Sequence, residues 1–112
     1  MNVFEFLMWL VLCHLIGDYV LQSDYIATTR GKNWYHLFVH SALYCVPFAF
    51  LFTYLAVPGY ITEIGYLFIS HFILDMAKAR YDVISIVEDQ AIHYVLLVNI
   101  LYAVDAKILL YV

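Results

Sequence analysis

Residues 13–24 read CHLIGDYVLQSD and follow ten almost wholly apolar residues. The stretch reads as the second half of a membrane helix. It also carries His14 and Asp18, four residues apart and therefore on one helical face. Whether this helix sits in water or in lipid decides the fold, and the composition of the whole chain answers that question. Of 112 residues, 66% are hydrophobic and 12% are charged. A soluble domain carries about 25% charged residues, so there is too little polar surface here to cover a soluble globule. The expected solvent is lipid. A net charge of −4 with five Lys and Arg leaves no basic footprint for nucleic acid. Cys13 and Cys45 fall inside apolar segments without C-x-x-C spacing and read as small buried side chains, not as a disulfide framework.

A helix needs about 20 mostly apolar residues to cross a bilayer. Four segments qualify, at roughly 3–22, 33–57, 61–79 and 89–112. The first has Glu5 where a signal peptide would have a basic n-region, and no small-residue cleavage motif follows, so it is expected to be retained. SDYIATTRGK, residues 23–32, reads as a polar loop; Pro58-Gly59 separates the second and third segments; RYDVISIVE, residues 80–88, joins the last two. Pro47 lies inside the second segment and should kink it, which neighbouring helices tolerate. The expected fold is therefore all-α: a single integral membrane domain over 1–112, built as a four-transmembrane-helix up-down bundle. Arg30 and Lys32 lie in the first loop and Lys78 and Arg80 at the third, against Lys107 alone on the opposite side. The positive-inside rule then puts loops one and three in the cytoplasm and both termini outside. Tyr25, Trp34, Tyr35, Tyr60 and Tyr81, near segment ends, fit an aromatic belt at the two interfaces.

The ionisable groups inside the segments share one depth. Segment one holds His14 and Asp18; segment two, His36 and His40; segment three, His71 and Asp75, with Lys78 a turn further on; segment four, Asp89 and His93. Each pair has the i, i+4 spacing that puts both residues on one helical face. In an up-down bundle all of them fall in the cytoplasmic half, near the ends joined by loops one and three. The outer half offers only Glu5, Glu63, Asp105 and Lys107 near the ends, with Asn99 between. Such groups in a membrane usually face a bundle interior, pair with one another or serve function. A single His/Asp pair reads best as self-satisfied packing. Four helices converging at one depth read as a metal site, because His and carboxylate pairs on facing helices are how bundles build metal centres. The candidate ligands are His14, Asp18, His40, His71, Asp75, Asp89 and His93, enough for one or two divalent ions, zinc first, with manganese or iron as alternatives. Some of these would be partners that orient the imidazoles rather than ligands. His36, beside Trp34 and Tyr35, reads as an interfacial histidine.

H-L-I-G-D-Y-V-L-Q at 14–22, H-S-A-L-Y at 40–44, H-F-I-L-D-M-A-K at 71–78 and D-Q-A-I-H at 89–93 resemble a family of small, uncharacterised bacterial and phage integral membrane proteins. The resemblance covers nearly the whole chain. It carries His14, Asp18, Gln22, His40, His71, Asp75, Lys78, Asp89, Gln90 and His93, and implies a bacterial inner-membrane location without implying a reaction. More loosely, the His/Asp-rich helices are similar to those of membrane-bound metal-dependent hydrolases acting on phosphoesters, an analogy of fold and composition only. The leading expectation is a hydrolase acting on a membrane lipid or phosphoester. Asp89 would serve as general base, and Lys78 would sit at headgroup level to hold a phosphate, with Arg80 more simply an anchor at the interface. A metal-ion or proton transporter would use the same ligands but needs a path through the apolar outer half. A phage-type factor that modulates a host membrane protein would need the polar centre only for structure. Monomer and homodimer are both compatible with the sequence, with Gly17 and Ala77 offering small surfaces for close helix approach.

Overall fold

Three of the four long helices start at a residue whose side chain replaces a missing backbone partner. Asn2 accepts from the Glu5 amide at 2.8 Å and opens α1, Val3–Leu15. Asn33 accepts from the amides of Tyr35 and His36 and opens α3, Trp34–Tyr54. Ser85 and Glu88 bond reciprocally, side chain to backbone, ahead of α5, Ile86–Tyr111. The remaining long helix, α4, runs Ile61–Asp75. The computed structural model describes the backbone of residues 2–111 and the side chains of all of these except 27 and 109–111.

The expected polar loop at 23–32 contains a short helix that spacing alone hides. Ser23 accepts from the Ile26 amide and starts a short helix, α2, Asp24–Thr29. Thr28 and Thr29 then turn their hydroxyls back onto the carbonyls of Asp24 and Tyr25. A second difference lies at the ends of α1 and α4. Both continue into a single π-helical turn, Ile16–Val20 and Met76–Arg80. Each closes with an i→i−5 bond, Leu21 to Ile16 at 3.0 Å and Tyr81 to Met76 at 3.1 Å. Such one-turn widenings recur at functional sites. Helix α3 passes through Pro47 and stops before the expected position 57. Ala56 adopts φ +53° there, and the amides of Ala56 and Val57 bond back to Thr53 and Phe52, the double bond of a Schellman close.

The fold is all-helical, and α1, α3, α4 and α5 stand as the four corners of an up-down ring. Helix α1 packs on α3 and α5, and α4 packs on the same two from the other side. The first π turn presses against α3 so closely that a Cβ on Gly17 would lie 2.6 Å from the Tyr44 carbonyl. Gly31, after α2, is wedged in the same way against the Ala79 carbonyl of the second π turn, which docks the first loop onto the third. Above the polar half lies a core of Phe6, Leu10, Phe48, Phe52, Leu97 and Val104. At the far end Lys107 bonds to Glu63 at 2.8 Å and to the Gly59 carbonyl at 3.0 Å.

Among the described residues, three helical runs are long and apolar enough to cross a membrane: Val3–Val20, Trp34–Tyr54 and Ile86–Ile108. The fourth run, through α4 and its π turn, is of similar length but carries Glu63, Asp75, Lys78 and Arg80.

Candidate metal centre

At the loop end of the bundle the four long helices contribute two tiers of polar side chains, one residue per helix per tier. The inner tier consists of His14, Tyr44, His71 and His93. The tier nearer the loops consists of Asp18, His40, Asp75 and Asp89. On every helix the two members are four residues apart, so the i, i+4 rule builds both tiers at once. All eight of these side chains are buried or nearly so.

The inner tier is hydrogen-bonded throughout except at His71 Nε2. Gln90 donates its amide to Asp18 at 3.4 Å and to Asp89 at 3.2 Å, which fixes the amide orientation and turns Oε1 towards His14 Nε2 at 3.0 Å. His14 Nε2 is therefore a donor, and Nδ1 accepts from the Tyr44 hydroxyl at 2.9 Å. The Tyr44 ring stacks on His71 at 3.9 Å with 9° between the planes. His93 Nδ1 donates to the Asp89 carbonyl at 2.7 Å, which leaves its Nε2 to accept from His71 Nδ1 at 2.9 Å. One consistent set of tautomers follows, with the lone pair of His71 on Nε2.

The tier nearer the loops is different. His40 Nε2 lies 3.4 Å from Asp18 Oδ1 and 3.6 Å from Asp75 Oδ2, and His71 Nε2 lies 3.7 Å from the same Asp18 oxygen. These atoms converge without hydrogen-bond alignment: His40 Nε2, His71 Nε2 and Asp75 Oδ2 are buried and make no hydrogen bond, and neither does Asp89 Oδ1, which lies beside His93. Ligands on a tetrahedral ion with bonds of 2.0–2.1 Å are about 3.3–3.4 Å apart, so the separations are close to those of a coordination shell. Asp18, His40 and His71 thus form a group that could hold a metal ion, with all three ligand atoms within 4.8 Å of one another. Asp75 adjoins it through His40.

The remaining expected residues surround this group. Asp89 pairs with Lys78 at 3.4 Å and lies beside His93. His14 and His93 have both ring nitrogens engaged and bear on the centre through Gln90 and His71. Gln22 donates to the carbonyls of Gly17 and His40, tying the first π turn to α3. His36 lies at the loop end, bonded to Thr29 Oγ1 at 2.6 Å and edge-on to Tyr25. Arg80 stacks over Trp34 at 4.1 Å, away from the carboxylates.

Two members escaped the sequence reading. Tyr44, not His36, is the partner of His40 in the second segment; it sits four residues after His40, and a search confined to ionisable types passes over it. Arg30, read only as a marker of orientation, approaches Asp75 with Nε at 2.8 Å. Nothing in the spacing of the chain signals that contact, because it joins the first loop to α4.

No curated protein and no solved structure matches the chain. Residues 6–111 do match a family, described as protein of unknown function (DUF3307), and with nearly the whole length covered the chain belongs to that family.

Proposed function

We propose that this protein is a metal-dependent hydrolase of the membrane interface, acting on a lipid or another phosphoester held in the bilayer. One observation carries the reading: the buried Nε2 atoms of His40 and His71, neither with a hydrogen-bond partner, both approach Asp18 Oδ1. Burying such atoms without a partner costs about 1–3 kcal/mol each, and a shared cation offsets that cost. The first ligands in this reading are Asp18, His40, His71 and Asp75. His14, His93 and Gln90 position them. Two imidazoles with carboxylates suit zinc first, with manganese or iron as alternatives. A bound ion would bring the pKa of a coordinated water towards about 7 and polarise the ester. Asp89, with Oδ1 free of hydrogen bonds, takes the proton as water oxygen bonds to the ester centre. The ester bond to the departing alcohol breaks, and that alcohol receives the proton from Asp89.

Four crossings, with α4 and its π turn as the third, complete the proposal. Three of the four charges on that run are paired inside the bundle, Asp75 with Arg30, Glu63 with Lys107 and Lys78 with Asp89, which lowers their cost in lipid, and Arg80 stacks on Trp34 at the loop end. Loops one and three face the cytoplasm of a bacterial inner membrane, on the side of Arg30, Lys32, Lys78 and Arg80.

Metal analysis of the detergent-purified protein tests the centre. We expect zinc, manganese or iron at one or two ions per chain, lost in His71→Ala and His40→Ala. The reading fails if the wild type carries no ion, or if its metal content is indifferent to both changes. Turnover of lipid phosphoesters that persists in Asp75→Asn and Asp89→Asn would remove the assigned chemistry while leaving the ion.

A further inference from the structure

Two cations approach the tier of carboxylates from the loop side. Arg30 Nε is 2.8 Å from Asp75 Oδ2, and Lys78 Nζ is 3.4 Å from Asp89 Oδ2. The carboxylates are buried, at 4% and 2% side-chain exposure, whereas Arg30 and Lys78 remain 18% and 21% exposed. The cations therefore form the accessible rim of the polar centre, one on each side. Arg30 comes from the end of α2 and Lys78 from the second π turn, and Gly31 wedged against Ala79 holds these two segments together.

Charge balance then says what such a rim is for. With neutral histidines, the carboxylates Asp18, Asp75 and Asp89 face the cations Arg30 and Lys78, which leaves one net negative charge. That favours a cation in the centre. A divalent ion reverses the sign and leaves one net positive charge in a site screened from water. A buried unpaired charge is costly, so the loaded centre calls for an anion, and the rim meets it with a guanidinium fork and an ammonium. A guanidinium matches phosphate oxygens in pairs, and a lysine adds a point charge.

We infer that Arg30 and Lys78 form a phosphate-binding rim over the metal centre, so that the group recognised is a phosphoryl group of a lipid headgroup or of a soluble phosphate. This deepens the hydrolase reading and rests on its metal centre. In it Arg30 and Lys78 exchange part of their contact with Asp75 and Asp89 for phosphate oxygens when the ligand arrives. Arg80, turned onto Trp34, takes no part.

The experiment uses the full chain loaded with zinc in phosphatidylcholine nanodiscs, with orthophosphate as probe and zinc content measured on each sample. Orthophosphate should bind the loaded wild type, and the affinity should fall about tenfold or more in Arg30→Gln and in Lys78→Gln, the loss expected for a charged hydrogen bond. Zinc content should hold in both, and Lys32→Gln, an exposed basic change in the same loop, should bind as the wild type does. Arg30→Lys keeps the charge without the fork and should fall between; with Lys78→Gln it decides the matter if Arg30→Gln fails to fold. Zinc-loaded protein that binds no orthophosphate, or binds it equally in the rim variants, overturns the inference and leaves the metal centre standing. A wild type that takes up no zinc, manganese or iron overturns the metal reading and the inference with it. Nanodiscs containing phosphatidic acid separate the two sources. Displacement of orthophosphate by that lipid assigns the rim to a headgroup, and lack of displacement assigns it to a soluble phosphate.

Discussion

Gln90, itself uncharged, joins three members of the polar centre: His14, Asp18 and Asp89. Its amide nitrogen is shared by Asp18 and Asp89, and its oxygen is the acceptor that sets the His14 tautomer. Gln90→Leu removes all of these contacts while keeping the size and shape similar. We expect the metal affinity to fall about 10–100-fold, the range for residues that orient ligands, with the fold intact; titration of the purified variant with a competing chelator measures it. An unchanged affinity would mean that Asp18 is held by His40 and His71 alone. At this scale the sequence was legible wherever the chemistry announced itself. His14, Asp18, His40, His71, Asp75, Asp89 and His93 stand at one depth because the i, i+4 spacing and the alternating chain direction require it. Which nitrogen of each imidazole faces the centre was not legible, since that depends on Tyr44, Gln90 and a backbone carbonyl contributed by other helices.

The helices show what local signals can and cannot carry. Long apolar runs bounded by Asn2, Asn33 and the Pro58-Gly59 break are visible in one dimension, and the observed limits of α1, α3 and α4 with their π turns lie within a few residues of the expected ones. Helix α2 was hidden by its polar composition; it starts at the Ser23 cap and packs against α3. The π turns were hidden as well, because widening a turn by one residue changes no composition. The Glu63–Lys107 pair could be placed at the far end by counting residues, but the partnership across α4 and α5 could not. Glu63 is buried, so Lys107→Met should leave an uncompensated carboxylate. The expected loss lies at the lower end of the roughly 3–5 kcal/mol for breaking a buried pair, because Lys107 itself is 25% exposed. Unfolding in mixed detergent should show it, and adding Glu63→Gln should recover most of it; a double variant as unstable as Lys107→Met alone would place the cost in the lysine stem rather than in the stranded charge.

The molecule as a whole is turned inside out relative to a soluble bundle. Phe4, Phe50, Ile61 and Tyr102 are each about two-thirds or more exposed, while His40, His71, Asp75 and Asp89 are covered. The long axis of 45 Å equals the thickness of a bilayer with its headgroup layers, about 40–45 Å. Four basic residues at the loop end against Lys107 at the other fix the expected orientation. Single thiols introduced by Ser23→Cys and Thr62→Cys test it in intact cells, since native Cys13 and Cys45 are buried. Position 62 should react with an impermeant maleimide from outside and position 23 only after lysis; the reverse pattern would invert the molecule and move the centre to the outer leaflet.

The Glu63–Lys107 pair and the phenylalanine-rich core together occupy the half of the bundle behind the inner tier. Between His93 and Lys107 the fourteen residues of α5 span about 21 Å at 1.5 Å per residue, lined by Leu97, Ile100, Leu101 and Val104. Among the described residues that stretch is packed core, so the polar centre is backed by apolar side chains on one side and meets the partly exposed Arg30 and Lys78 on the other. If the proposed phosphate rim and hydrolase are both right, a phosphate product and the next substrate would meet the same two cations, and added orthophosphate would act as a competitive inhibitor of turnover.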